Sequence, residues 1–263
     1  MVHRQRHPHD RPGDRLRVAP GVQRRHPGHD RGVSRPVAAL AGLLGVATAV
    51  VVVAILVSSR QDDAHAPTVA RSDVTAVFRG IPQSGITLGD PAARVVLVEV
   101  ADPQCPYCRE FHTTTLPAIV RRYVATGKIR MQMRLTGFLG HDSVRGARAL
   151  EAAGLQDRMW EAAARFYAAQ GQENTGYVTD AFLRRVLGGV RGLDAGRALA
   201  DRADPRVEAE LGAVHSLERR YAVDSTPTLL IGRDVADLRK VSEQTPSIEQ
   251  IGATIDAELA KST

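Results

Sequence analysis

VVLVEVADPQCPYC, residues 95–108, is the stretch of sequence that decides the fold. Its first six residues are mostly β-branched and apolar, which is typical of a central strand buried on both faces of a sheet. Glu99 is the one charge in that run. Both cysteines of the chain, Cys105 and Cys108, come directly after it, and Pro106 suits the first position of a helix, where its missing N–H costs nothing. The stretch therefore predicts a buried strand that leads into a helix with two cysteines at its start.

The residues that follow predict a second strand beside the first. Residues 106–125 are interpreted as a helix that bends near Pro117 and ends at Gly127. After the helix, apolar residues alternate with polar ones in the period-two pattern of a half-exposed strand. The apolar positions of this strand are Ile129, Met131, Met133 and Leu135. Strand, helix and strand within about 40 residues indicate a βαβ unit.

Residues 142–222 differ from the residues before them because they show no convincing strand pattern. Helix starts are predicted at Asp142 or Ser143, near Gln156, at Thr179 or Asp180, at Asp194, and at Asp204 followed by Pro205. We interpret the segment as an all-helical insert. Strand pattern returns at residues 228–231 with a hairpin partner at 238–241, and residues 246–259 predict a closing helix. The closing helix would place Ile248, Ile251, Ile255 and Leu259 on one face.

The position of the two cysteines predicts redox chemistry. At the start of a helix, Cys105 faces unpaired N–H groups and the positive end of the helix dipole, which together stabilise a thiolate. Cys108 lies one turn further along, so we expect it to be less exposed than Cys105 and within bonding reach of it. Cys105 is accordingly expected to be the exposed nucleophile of the pair.

Other roles for the cysteine pair fit the sequence less well. A structural disulfide across so short a loop would add only about 2 kcal/mol, before strain is subtracted. A zinc site needs two more ligands, and His112, His141 and His215 show no paired spacing. A haem attachment site needs His at the position of Arg109. We therefore expect a redox dithiol, with no metal and no other cofactor.

Taken together, these motifs resemble the thioredoxin superfamily, and within it the exported thiol:disulfide oxidoreductases of the DsbA type. The resemblance is carried by GIPQSGITLGD at residues 80–90, VVLVEVADPQCPYCREF at 95–111 and STPTLLIG at 225–232. It extends from about residue 74 to about residue 260. It implies an α/β thioredoxin fold with the helical insert, residues 142–222, between the second and third core strands.

The resemblance also implies roles for individual residues. Members of this family carry a cis-proline loop opposite the dithiol, and Thr226-Pro227 matches that loop. They commonly place a buried acid under the dithiol, at the position of Glu99, where a carboxylate could accept the proton of Cys108. The alternative for Glu99 is an end-of-strand side chain that reaches solvent. His112 resembles a residue common after the motif, and we favour a packing role for it over a catalytic one.

The residues between the cysteines leave the direction of the reaction open. Exported oxidases usually have His where Tyr107 stands, whereas Pro-Tyr also occurs in glutaredoxin-type reductases and in one branch of exported isomerases. Tyr107 is expected to shape the surface around the dithiol in either case. We favour an oxidase that acts on reduced exported proteins and is reoxidised by a quinone-linked membrane partner, as the family implies. A reductase or isomerase is the first alternative, and a non-catalytic thioredoxin-fold binding module is the second.

The residues before the core predict a membrane anchor. Nine Arg and three Asp in residues 1–35 account for the whole net charge of +6, so a basic face for nucleic acid on the remainder loses its main support. We interpret residues 1–35 as a disordered cytoplasmic tail, 36–57 as a transmembrane helix, 58–72 as a linker and 73–263 as the exported domain. The arginines place the N-terminus in the cytoplasm. A cleaved signal peptide is the alternative, and it would export the same domain.

Overall fold

A computed structural model describes residues 73–242 and 246–261 of the chain. The strands are β1 (Gln83–Ser84), β2 (Thr87–Leu88), β3 (Val95–Ala101), β4 (Ile129–Leu135), β5 (Thr228–Asp234) and β6 (Asp237–Ser242). The α-helices are α1 (Pro106–Glu110), α2 (Leu116–Ile119), α3 (His141–Gly154), α4 (Met159–Ala168), α5 (Asp180–Leu187), α6 (Ala195–Ala200), α7 (Pro205–Tyr221) and α8 (Ile248–Ala260). Short 3-10 helices cover Ala76–Phe78 and Asp201–Ala203.

The six strands form one mixed sheet in the order β1-β2-β4-β3-β5-β6. β3 and β4 are parallel, and the other neighbouring pairs are antiparallel. All seven residues of β3 are buried, while every second residue of β4 is partly exposed. The predicted central strand, half-exposed strand and βαβ unit are therefore confirmed, as is the α/β fold with an insert between β4 and β5.

The sheet separates two apolar layers, and β3 contributes to both of them because successive side chains point to opposite faces. Val96, Val98 and Val100 face the smaller layer, where α7 contributes Val214. Leu97 and the other alternate residues face the larger layer, which includes both cysteines. Burying each large aliphatic side chain stabilises the fold by about 1.5–3 kcal/mol relative to exposure. The position of β3, the strand before the cysteines, is thus stabilised by packing on both faces of the sheet.

The helical stretch after the cysteines alternates between α and π geometry. A π-helical segment, Phe111–Thr115, follows α1, and a second one, Val120–Val124, follows α2. Pro117 lies in α2 and has no N–H to donate, which fits the local change in hydrogen-bond pairing. Gly127 follows with φ +71, a left-handed conformation that favours glycine. The helix predicted over residues 106–125 is confirmed, but its π-helical turns are not visible in the apolar pattern.

The insert is helical from α3 to α7, and no strand occurs between residues 141 and 221. Three predicted caps are present, since the side chains of Thr179, Asp194 and Asp204 each accept a hydrogen bond from the first turn of the helix that follows. The start predicted near Gln156 is wrong. α4 begins at Met159, because the chain first makes a turn in which Asp157 adopts φ 56.

Two other helix starts also differ from the prediction, by one or two residues. α3 begins at His141 instead of Asp142 or Ser143, and α8 begins at Ile248 instead of residue 246. The reason at α8 is a capping box, in which Ser247 and Gln250 satisfy each other's backbone N–H groups.

A short hairpin of β1 and β2 extends the sheet beyond β4, and the sequence pattern did not predict it. β1 and β2 contain two residues each, which is too short for an alternating pattern. Between them, the carbonyl of Ile86 accepts a hydrogen bond from the indole N–H of Trp160 at 3.2 Å. This bond joins the hairpin to α4 of the insert.

The predicted cytoplasmic tail, transmembrane helix and linker, residues 1–72, lie outside the described residues. None of the helices within the described ranges combines the length and the hydropathy that crossing a bilayer requires.

Candidate active site

Cys105 and Cys108 lie where β3 ends and α1 begins. Cys105 has extended backbone and directly precedes the helix, and Pro106 occupies the first helical turn. Neither cysteine is in a disulfide, so the site is in its dithiol form. Cys108 has no exposed surface, as expected, and Cys105 is 4% exposed. The expectation of a freely exposed Cys105 is therefore corrected: only a small part of its surface reaches solvent.

The loop before β5 covers Cys105. The sulfur of Cys105 lies 3.1 Å from the carbonyl oxygen of Thr226, to which it donates a hydrogen bond when it is protonated. The peptide bond between Thr226 and Pro227 is cis. β5 is antiparallel to β3, and Thr228 pairs with Val100 near the end of β3. The loop therefore lies at the same edge of the sheet as the cysteines.

The two thiols have opposite acidities. The pKa of Cys105 is lowered from 9.0 to about 6, chiefly by a hydrogen bond from the side chain of Cys108. Burial opposes this shift, whereas hydrogen bonds with the side chain of Thr226 and with the backbone of Cys108 and Tyr107 add to it. Burial raises the pKa of Cys108 well above its ordinary value, and its hydrogen bond to Cys105 adds to the increase. Near neutral pH, Cys105 is therefore the thiolate and Cys108 the thiol.

Glu99 is buried in the larger apolar layer on the same face of β3 as Leu97, and its side chain has no exposed surface. The alternative in which Glu99 reaches solvent is wrong. His112 places its Nε2 at 3.1 Å and 3.2 Å from the two carboxylate oxygens of Glu99. His112 also packs against the ring of Tyr167, with 4.3 Å between the ring centroids. The predicted packing contact thus exists, together with a hydrogen bond that was not predicted.

Buried polar side chains fix the loop that connects β3 to Cys105. Asp102 accepts hydrogen bonds from the hydroxyl of Ser143 and from the backbone N–H groups of Gln104 and Leu139. Burial raises the pKa of Asp102, and the bond from Ser143 opposes that increase. From the insert, the amide of Gln170 donates to the carbonyl oxygen of Cys105 at 3.1 Å. No periodic pattern in the chain predicts these contacts, because they join the loop to distant helices.

The surface beside the dithiol is open. Tyr107 is 58% exposed, as suits a residue that shapes this surface. A shallow depression of about 430 Å³ is lined by Pro106, Tyr107, Arg109, Glu110 and Thr113. Among the described residues, no group of three or more His, Cys, Asp or Glu is arranged to hold a metal ion.

Comparison with known proteins gives consistent matches. A family model described as thioredoxin matches residues 82–257. The "Probable disulfide bond formation protein D" of Bacillus anthracis is 25% identical over 178 residues, which are 66% of this chain and 78% of that protein.

Solved structures give the same result for the fold. Oxidised BdbD from Bacillus subtilis matches with a TM-score of 0.59 at 19% identity, over 68% of this chain and 97% of that one. DsbA from Chlamydia trachomatis matches with a TM-score of 0.56 at 19% identity, over 65% of this chain and 90% of that one. At such identities the structural likeness concerns the fold alone.

Proposed function

Because this chain belongs to the thioredoxin family and is a protein thiol:disulfide oxidoreductase of the DsbA type, we propose that it introduces disulfides into exported proteins through Cys105 and Cys108. The observation that carries the proposal is the difference in acidity between the two thiols. Cys105 has a pKa of about 6, while that of the buried Cys108 is raised. Such a pair has one sulfur suited to bond with a substrate and one suited to resolve that bond.

The reaction starts from the Cys105–Cys108 disulfide. A substrate thiolate attacks the sulfur of Cys105, and Cys108 leaves with the bonding electron pair of the disulfide. Cys108 takes up a proton, for which the carboxyl group of Glu99 is the proposed donor. A second substrate thiolate then attacks the substrate sulfur of the mixed disulfide, and Cys105 leaves as a thiolate. The substrate has lost two electrons and gained a disulfide, and the enzyme holds the two electrons as its dithiol.

The acidity of Cys105 favours the oxidising direction. A lowered pKa stabilises the reduced enzyme as a thiolate, and a dithiol whose reduced form is stabilised is the stronger oxidant. Lowering the pKa from 9.0 to about 6 favours the reduced form by about tenfold at pH 7. This corresponds to about 30 mV of reduction potential for a two-electron couple.

The loop at Thr226 and Pro227 is the proposed docking element for substrate. It lies beside Cys105, and its backbone groups can hydrogen-bond an extended chain, as an added strand does at a sheet edge. Recognition through the backbone would depend little on the substrate's side chains. The open surface around Tyr107 would accommodate the rest of the segment.

The proposed location is the outer side of a membrane, with residues 36–57 as the anchor. Its support is the apolar run without charge at residues 37–57 and the excess of Arg before it. An oxidising compartment suits an enzyme that makes disulfides. The proposed partner for reoxidation is a quinone-linked membrane protein.

The reduction potential of the full chain tests the direction. The protein is equilibrated with glutathione buffers, and the fraction of dithiol is measured by thiol alkylation. We expect a reduction potential less negative than about −270 mV, the value of a typical thioredoxin, and shifted toward about −120 mV, the value of a strong oxidant. A potential at or below the thioredoxin level would contradict the oxidase and favour a reductase. The Cys105→Ser variant, which should show no exchange, is the control.

A further inference from the structure

His112 makes a contact that packing alone does not require. Its Nε2 lies within hydrogen-bond distance of both carboxylate oxygens of Glu99, and neither side chain has exposed surface. The other ring nitrogen, Nδ1, is buried without a hydrogen-bond partner among the described residues. A proton on Nδ1 would be a buried donor with no acceptor, which is costly. The ring proton therefore belongs on Nε2, from which it is donated to Glu99.

The ring of His112 is held in place by its neighbours. His112 lies four residues after Cys108, so both side chains emerge on the same side of the helical stretch. Tyr167 lies against the imidazole, and its hydroxyl donates to the carbonyl oxygen of Asp102 at 3.2 Å. His112 also belongs to the π-helical segment Phe111–Thr115, and π-helical turns occur frequently at functional sites.

Within the described residues, the hydrogen bonds to the Glu99 carboxylate come from His112. The residues that pair with Glu99 in the sheet are apolar, Met133 on β4 and Leu229 on β5. A buried carboxylate in such surroundings keeps a fixed orientation only through its donor. The titratable groups that interact electrostatically with Glu99 are Cys108 and Tyr167, and Tyr167 also packs against His112.

We propose that His112 is a positioning residue for the step at Cys108: its Nε2–H holds the Glu99 carboxylate in the orientation from which it exchanges a proton with Cys108. The proposal rests on the proposed function. When Cys108 resolves a mixed disulfide, its sulfur attacks Cys105, its proton passes to Glu99, and the substrate sulfur leaves as a thiolate. Without the Nε2–H, the carboxylate loses its fixed orientation and the transfer slows.

The test measures the two steps of the reaction separately in the full chain. The reduced protein reacts with oxidised glutathione, and the rate of disulfide formation between Cys105 and Cys108 is followed from about pH 5 to about pH 8. A Cys108→Ser background gives the rate of the first step alone, which is the attack of Cys105 on glutathione. The variants are His112→Leu, His112→Gln, Glu99→Gln and the double variant Glu99→Gln/His112→Leu. His215→Leu, at an exposed histidine of α7, is the matched control.

His112→Leu should slow the resolution step by about tenfold and change its pH dependence, while leaving the first step unchanged. His112→Gln, which can still present an N–H to the carboxylate, should stay within about threefold of the wild type. The double variant should be no slower than Glu99→Gln, because His112 acts through Glu99. His215→Leu should match the wild type.

A His112→Leu variant that melts at a lower temperature but keeps the wild-type rates and pH profile would show that the role is structural and overturn the proposal. So would a double variant whose slowing is the product of the two single effects. If His112→Leu fails to fold by circular dichroism, His112→Phe takes its place, because it keeps a ring against Tyr167 but has no N–H to donate to Glu99. Slowed resolution in this variant supports the proposal, and wild-type rates overturn it. Wild-type protein that exchanges no thiols would instead refute the proposed function.

Discussion

The sulfur of Cys105 and the carbonyl oxygen of Thr226 are 3.1 Å apart, although 121 residues separate them in the chain. The contact follows from the antiparallel pairing of β3 with β5, which brings the residues after one strand to the residues before the other. The dithiol and the proposed substrate loop are therefore fixed relative to each other by the sheet.

Replacing Thr226 tests whether this loop sets the acidity of Cys105. Thr226→Val removes the side-chain hydrogen bond that helps to lower the pKa of Cys105 and leaves the backbone carbonyl in place. We expect the pKa of Cys105 to rise above about 6 and the equilibrium with glutathione to shift toward the enzyme disulfide, by less than the about tenfold that the whole lowering of this pKa is worth at pH 7. The ultraviolet absorbance of the thiolate during a pH titration gives the pKa. Thr126→Val, at an exposed threonine bonded to the carbonyl of Arg122, is the control and should leave the pKa of Cys105 unchanged.

The two cysteines should differ as traps for substrate. In Cys108→Ser, the acidic thiol of Cys105 can still form a mixed disulfide, but no internal thiol can resolve it. Cys105→Ser leaves a thiol that has no exposed surface and a raised pKa. Covalent complexes with a disulfide-containing peptide should therefore accumulate on non-reducing gels for Cys108→Ser and be scarce for Cys105→Ser. Equal trapping by the two variants would mean that the roles of the sulfurs are assigned wrongly.

Glu151 on α3 should make stability depend on pH. It is 4% exposed, and burial raises its pKa from 4.5 to about 8, with Glu210 adding to the increase and Arg134 opposing it. A carboxyl group whose pKa is raised on folding stabilises the protein fully below its unfolded pKa of 4.5, and this contribution is lost as pH rises through about 8. Glu151→Gln removes the charge at all pH values.

Urea unfolding of both proteins at about pH 5 and about pH 9 measures this effect. Wild type should lose a few kcal/mol of unfolding free energy relative to Glu151→Gln between the two conditions. Glu173→Gln, at an exposed loop position, is the control and should have the unfolding free energy of the wild type at both pH values. If Glu151→Gln loses as much stability as wild type does, Glu151 is not the group responsible.

A reporter fused after Thr263 tests the proposed location. Nine Arg precede the apolar run at residues 37–57, and Arg60 is the basic residue close after it, so the bias predicts the N-terminus inside the cytoplasm. A reporter enzyme that is active only after export should be active in this fusion. A reporter enzyme that is active only in the cytoplasm should be inactive. The reverse result would remove the basis for an extracytoplasmic oxidase.

The sequence predicted best those features that depend on residues close together in the chain. β3 was predictable because a short β-branched run favours a buried strand, and the caps at Thr179, Asp194 and Asp204 were predictable because each acts within one helical turn. The hairpin of β1 and β2 was missed because two-residue strands have no period. The start of α4 was misplaced because the turn at Asp157 delays the helix.

In the candidate site, too, features that depend on nearby residues were predictable and features that depend on distant residues were not. The positions of Cys105 and Cys108 followed from the motif, and the burial of Glu99 was expected from the apolar strand around it. Its bond to His112 could not be read from the sequence, because it depends on how the helical stretch is rotated over β3. The π-helical turn at Phe111–Thr115 changes that rotation locally.

The hydrogen bond between Trp160 and the carbonyl of Ile86 has a practical consequence, because Trp160 is the single tryptophan of the chain. Its indole is fully buried where the β1–β2 hairpin meets α4. Tryptophan fluorescence of this protein therefore reports on one defined contact, and a red shift in emission would show that the insert has separated from the hairpin. The protein carries its own optical probe for following the order in which its parts unfold.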